Sequence, residues 1–138
     1  MSFIEENFVA VGSHIKENAP NFHRFGVLWT PTVLIMDPNG VERVRSEGYV
    51  PKPEFRAWLE MGLARLSFLE MKWDEAELKY HGVFEGFPQT LAAPEAIYWR
   101  GVSRYKKGDH AALKQTADIL AEKYPGNLWA AKASVWAG

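Results

Sequence analysis

The sequence predicts an α/β segment followed by an all-α segment. Short extended runs separated by turn signals fill the chain up to Arg45, and 3.6-residue apolar periodicity takes over after Pro53. Pro51 to Glu54 therefore mark the architectural boundary. With 138 residues, 47% of them hydrophobic and 14% aromatic, the chain is about one domain long and rich enough in apolar side chains to build a core without staples.

Phe8-Val9-Ala10-Val11 is a short β-rich run, and Asn18 to Phe25 suits a short helix with Pro20 in its first turn and Gly26 closing it. Thr32-Val33-Leu34-Ile35-Met36 reads as a buried strand, Asp37-Pro38-Asn39-Gly40 as a turn and Val41 to Arg45 as an alternating return strand, together a β-hairpin. Past Pro53, Phe55, Leu59, Gly62/Leu63, Leu66 and Leu69 share one helix face. A second helix opens at Asp74 with Glu77 as its capping-box partner and turns Ala76, Tyr80, Val83, Phe84 and Phe87 inward. A third runs from Pro94 to Gly108. A fourth, capped by Asp109, presents Ala112, Leu113, Thr116, Ala117 and Leu120, and a fifth is capped by Asn127.

Composition narrows the chemistry. Sixteen basic and seventeen acidic side chains give a net charge of -1, so no basic field favours nucleic acid or a membrane surface as a partner. The absence of cysteine rules out a disulfide, a thiolate nucleophile or a thiolate metal site within this chain. His14, His23, His81 and His110 lack the spacing of a metal motif. No phosphate loop or nucleophile elbow is present, and no cofactor is expected. Met1 to Glu6 lacks the basic and apolar regions of a signal peptide and no apolar run reaches about 20 residues. The chain is thus expected to be soluble. Its compartment stays unread, with the cytoplasm favoured only by that missing signal.

Phe87-Pro88 and Tyr124-Pro125 end two similar helical hairpins. Ala96, Gly101, Tyr105, Lys106, Gly108, Asp109 and Pro125 in the second, and Leu63, Ala64, Trp73, Ala76, Tyr80 and Pro88 in the first, fall at favoured positions of the tetratricopeptide (TPR) pattern. The stretch from Ala57 to Pro125 resembles that family. Arg100 and Arg104 replace usually apolar residues and Leu113 and Leu120 replace alanines, so the packing there should depart from consensus. The resemblance implies a concave peptide-binding surface. The plainer reading is a helical cap that only buries apolar faces, since about three repeats are needed for a solenoid. Trp129, Ala130, Ala133 and Trp136 would lie on a closing helix. Arg100, Arg104, Lys106 and Lys107 form a basic cluster able to grip an acidic tail, or else a solvated face.

The order of strand, short helix, Trp29-Thr30-Pro31-Thr32, hairpin, Gly48 and long helix resembles the second half of a thioredoxin domain, over Phe3 to Leu69. That resemblance implies a cis Thr30-Pro31 bond and a peptide-binding role for Thr30 and Pro31, with Trp29 as a flanking apolar contact. It also implies a central strand and a Cys-x-x-Cys helix that would precede Met1, with Met1 to Glu6 as the tail of that helix. The gap would leave unpaired strand edges, filled by direct pairing of the remaining strands, by another copy of the chain or by a longer polypeptide.

The expected organisation is a partial thioredoxin-like sheet with a β-hairpin (1–69), then a TPR-like array of antiparallel helical hairpins (57–138) sharing the helix 53–69. The expected function is a non-catalytic protein- or peptide-binding module. The candidate contacts are Trp29, Thr30 and Pro31 in the loop and Arg100, Arg104 and Lys107 on the helices. Two alternatives stay open: the back part of a thiol-disulfide oxidoreductase whose Cys-x-x-Cys lies upstream, and an oligomerisation unit in which a second copy completes the sheet.

Overall fold

The computed structural model describes residues 2–14 and 16–138. In order, the elements are α1 (Phe3–Asn7), α2 (Ala19–Arg24), β1 (Thr32–Met36), β2 (Glu42–Glu47), α3 (Lys52–Leu69), α4 (Trp73–Gly86), α5 (Ala92–Lys106), α6 (Ala112–Lys123) and α7 (Leu128–Ala133), ending in a 3-10 turn at Ser134–Trp136. The chain divides into two compact units, residues 1–33 with 46–49 and residues 34–45 with 50–138.

In the first unit, a capping box starts α1. Ser2 Oγ accepts from the Glu5 N–H at 3.3 Å, and the Glu5 carboxylate accepts from the Ser2 N–H at 3.1 Å. The stretch expected as a helix tail is helical over Phe3–Asn7, but it carries its own N-cap at Ser2; Met1 lies outside the described residues. The expected strand Phe8–Val11 does not form. Among the described residues the sheet has two strands, β1 and β2, and neither of them supplies this β-rich run with ladder hydrogen bonds. It stays outside regular structure, with Val9 94% and Val11 87% exposed. The short helix α2 follows with Pro20 in its first turn, and Gly26 closes it at φ 61°, a conformation glycine adopts without steric cost.

The hairpin forms as its turn residues dictate. Asp37 Oδ1 accepts from the Asn39 and Val41 N–H groups at 2.9 and 3.0 Å, the Gly40 N–H donates to Asp37 O at 2.9 Å, and Gly40 takes φ 78°. Arg43 pairs with the same carboxylate at 2.9 Å. β2 begins at Glu42, one residue later than expected, and continues to Glu47.

In the second unit, α3 to α7 pack in sequence, each helix against the next, and the short links at 70–72, 87–91, 107–111 and 124–127 make neighbours antiparallel. α3 buries more than the single expected stripe. Ile35 packs on Gly62, while Met61 and Ala64 meet Ala76, Tyr80 and Val83 of α4 and Ala96 of α5; Leu69, at the helix end, is 41% exposed. Farther along, Ile97, Ala117, Leu120 and Ala133 form a second cluster, with Trp129 and Trp136 packed on it. Gly101 lies so close to Thr116 that an added Cβ would stand 2.8 Å from the threonine Cβ. Glycine is thus what lets α5 and α6 approach.

Three helix starts differ from expectation. α4 begins at Trp73 without a side-chain cap, because the carboxylates of Asp74 and Glu77 bind Lys107 instead of backbone N–H groups. α5 begins at Ala92, with Pro94 buried in its first turn, where a missing N–H costs nothing. α6 begins at Ala112 without a side-chain cap, since the Asp109 carboxylate takes the Arg104 guanidinium. Asn127 does cap α7, its side chain accepting from the Trp129 N–H at 2.8 Å.

Candidate functional site

The loop between α2 and β1 is held by its own backbone. The Val27 N–H donates to Phe22 O at 2.8 Å, Thr32 Oγ1 donates to Trp29 O at 2.6 Å, and the Gly48 N–H donates to Pro31 O at 2.7 Å. The Thr30-Pro31 bond is cis and Gly48 takes φ 88°. So fixed, the loop turns apolar side chains to solvent: Trp29 is 69% exposed, with Leu28 and Tyr49 more exposed still. A tryptophan at this level of exposure is unusual, because its large apolar surface is normally at least half covered. Trp29, Thr30 and Pro31 offer no acid, base or nucleophile poised for bond-making. They offer an apolar plate beside Thr30, whose N–H and C=O carry no hydrogen bond among the described residues. Such a surface can hold an extended chain.

The helical candidates are not gathered into one open patch. Arg104 binds Asp109 and lies 3.8 Å from Glu77, and its guanidinium also donates to Gln115 at 3.1 Å. Lys107 pairs with Asp74 at 2.7 Å and with Glu77, which raises its pKa through the Asp74 and Glu77 hydrogen bonds. These contacts tie α5 to α4 and α6. Arg100 stands apart, its guanidinium 5.7 Å from the Phe84 ring centroid and its Nε buried without a hydrogen-bond partner. Burial pulls its pKa down, and neighbouring Arg104 adds to that.

A second constellation, on α3, α5 and α7, has no counterpart among the sequence-based candidates. The Arg65 guanidinium lies 5.0 Å from the Trp99 ring centroid, and the Lys132 ammonium 4.1 Å from that of Trp129. The two indoles are 6.4 Å apart, Phe68 packs on Trp99 and Tyr98 packs on Trp129. Trp99 Nε1 donates to Glu95 Oε2 at 3.3 Å. Burial raises the Glu95 pKa against the opposing pull of that hydrogen bond, Arg65 and Lys132. Beneath them the Tyr80 hydroxyl is buried without a hydrogen-bond partner, and burial pushes its pKa above the usual phenol range despite Arg65. Only Glu95 and Trp99, four apart on one helix, could have signalled this arrangement locally. Arg65 and Lys132 reach it through tertiary packing.

Elsewhere in the second unit, a cavity of about 250 Å³ is lined by Asp37, Pro38, Asn39, Arg43, Leu66, Leu69 and Glu70. No group of three or more His, Asp or Glu side chains converges among the described residues. None of their helices is long and apolar enough to cross a membrane.

Residues 3–62 match the family model described as a thioredoxin-like domain, so a thioredoxin-like domain is present over that segment. The match takes in the whole Trp29-Thr30-Pro31 loop and the hairpin and ends inside α3. Comparison with curated proteins and with solved structures returns no match.

Proposed function

We propose that this chain is a non-catalytic protein- or peptide-binding module, thioredoxin-like in its first part and tetratricopeptide-like from α3 onward. The exposed Trp29 beside cis Thr30-Pro31, in a chain without cysteine, carries this reading. The loop keeps the apolar and backbone groups that receive an extended peptide, while the sulfur chemistry is missing from the chain itself. The helical part supports the reading through its sequential antiparallel pairs, the close approach at Gly101 and the covering of Ala117 and Leu120 by α7. The test is selection from a random peptide library on the full chain, followed by titration of the winning peptide against wild type and Trp29→Ala. Affinity should fall about tenfold or more, as for an exposed aromatic anchor. Equal affinity would remove the loop from the binding surface.

The match over residues 3–62 also favours a second reading, the back part of a thiol-disulfide oxidoreductase whose Cys-x-x-Cys lies upstream. The reading frame ahead of Met1 decides it. An in-frame Cys-x-x-Cys supports this reading, and stop codons there sink it. The exposed Val9 and Val11 fit a third reading, an oligomerisation unit completed by a second copy. Sedimentation at the 15.7 kDa of one chain would exclude it.

A further inference from the structure

Half of the twelve lysines and arginines from Lys52 onward have an ion-pair partner: Arg56, Lys72, Lys79, Arg104, Lys107 and Lys114 each lie within 4 Å of a carboxylate. Among the other six, Arg65 and Lys132 stand out. Neither has an ion pair among the described residues, yet each is held over an indole face, Arg65 on Trp99 and Lys132 on Trp129. The carboxylate that acts on both is Glu95, which is occupied by Trp99 Nε1. Two cations against one carboxylate leave a charge of about +1.

We propose that the α3/α5/α7 face binds an acidic side chain of a partner peptide, its carboxylate bridging Arg65 and Lys132. This rests on the peptide-binding reading above and specifies the chemistry of the helical half. Charge complementarity selects a single carboxylate, because a second would find no remaining cation. The indoles belong to a larger aromatic cluster, with Phe68 on Trp99 and Tyr98 against both Trp99 and Trp129. An acidic residue with apolar neighbours inside a peptide matches both the charge and the apolar surface, whereas a chain terminus would offer apolar neighbours on one side only. The stacked guanidinium and ammonium are already oriented by their rings, so little side-chain freedom is lost on binding. Glu95 works against the ligand, since it draws on the same two cations.

The experiment uses the full chain and fluorescence anisotropy with three labelled probes. One is a peptide capped at both ends with a single Glu between apolar residues. The second is the same peptide with Gln, and the third is the Gln peptide with a free terminal carboxylate. The Glu peptide should bind, the capped Gln peptide at least about tenfold more weakly. Arg65→Gln and Lys132→Gln should each cost the Glu peptide about tenfold, with Lys132→Arg restoring most of it. Lys114→Gln, which opens an exposed pair with Asp118 on α6, should change nothing. Glu95→Gln should tighten binding, a sign that a purely structural role for this cluster does not give. Equal binding of the Glu and capped Gln peptides, indifference to both cation substitutions, or weaker binding by Glu95→Gln would each overturn the proposal. Binding of the free-terminus peptide as tight as that of the Glu peptide would overturn the assignment to a side chain. If no probe binds while a library-selected peptide still depends on Trp29, this proposal fails and the binding reading stands.

Discussion

Gly101→Ala tests the helical packing most sharply, because two effects of opposite sign compete there. Alanine is the better helix former by about 1 kcal/mol, so in an open helix the substitution would stabilise. In α5 it meets α6. The new methyl would stand 2.8 Å from Thr116 Cβ and 2.9 Å from Cγ2, with Oγ1 closer still. Thr116 is 3% exposed, β-branched and held by a 2.7 Å hydrogen bond from Oγ1 to Ala112 O, so it has little room to turn. Overpacking costs about 1–3 kcal/mol and losing the buried hydrogen bond about 1–3 kcal/mol more. After the propensity gain, a net loss of about 1–5 kcal/mol is expected, read as a lower urea midpoint with an unchanged slope. In a Thr116→Ala background the Oγ1 and Cγ2 contacts vanish, so the loss should shrink by about 1 kcal/mol or more. Gly62→Ala is the contrast. Its new methyl runs into only the Cδ1 tip of Ile35, the next atoms lying at 3.5 and 3.7 Å, and the net change should stay within about 1 kcal/mol. If Gly101→Ala stabilises the protein by the propensity difference, α5 and α6 are not in the contact described.

The pH dependence should contain two opposed parts. Burial raises the Glu95 pKa above its ordinary 4.5, so above that pH the unfolded chain ionises more readily and stability falls as pH rises; Glu95→Gln should remove this fall, its advantage growing from acid towards neutral pH. Asp37, Glu42 and Glu75 have lowered pKa values, chiefly through hydrogen bonds from the Val41 backbone, Arg45 and Ser67, and their support should fade as pH drops below about 4. A urea midpoint for wild type and Glu95→Gln that moves in parallel from pH 3 to 7 would contradict the Glu95 assignment. Met71 holds φ 60° in the link between α3 and α4 and is 70% exposed, so Met71→Gly should stabilise by up to about 1 kcal/mol in thermal unfolding. Asn127→Ala should cost about 1 kcal/mol through loss of the α7 cap, with circular dichroism reporting the unfolding midpoint.

What the sequence made legible was local. Asp37-Pro38-Asn39-Gly40 carries its whole turn chemistry within four residues, and each expected bond is found. Asn127 and Gly26 likewise act on their immediate neighbours. Phe8–Val11 failed as a strand because pairing is a property of two segments, and β propensity in one cannot supply the other. Asp74, Glu77 and Asp109 look like caps in isolation, yet cations from other turns and helices outbid the backbone for their carboxylates. The same nonlocality turned Arg104 and Lys107 into fasteners between helices. It also hid Arg65 and Lys132, which come from helices far apart in sequence and meet over Trp99 and Trp129. Of the candidate site, only the Trp29-Thr30-Pro31 loop could be read in advance, because there consecutive residues do the positioning.

The central claim, that the chain is a binding module working through this loop, is tested most directly by amide hydrogen exchange of the full chain with and without its library-selected peptide. Slower exchange at residues 28–32, abolished by Trp29→Ala, is the expected result. Tight peptide binding that leaves exchange at those residues unchanged would contradict the account.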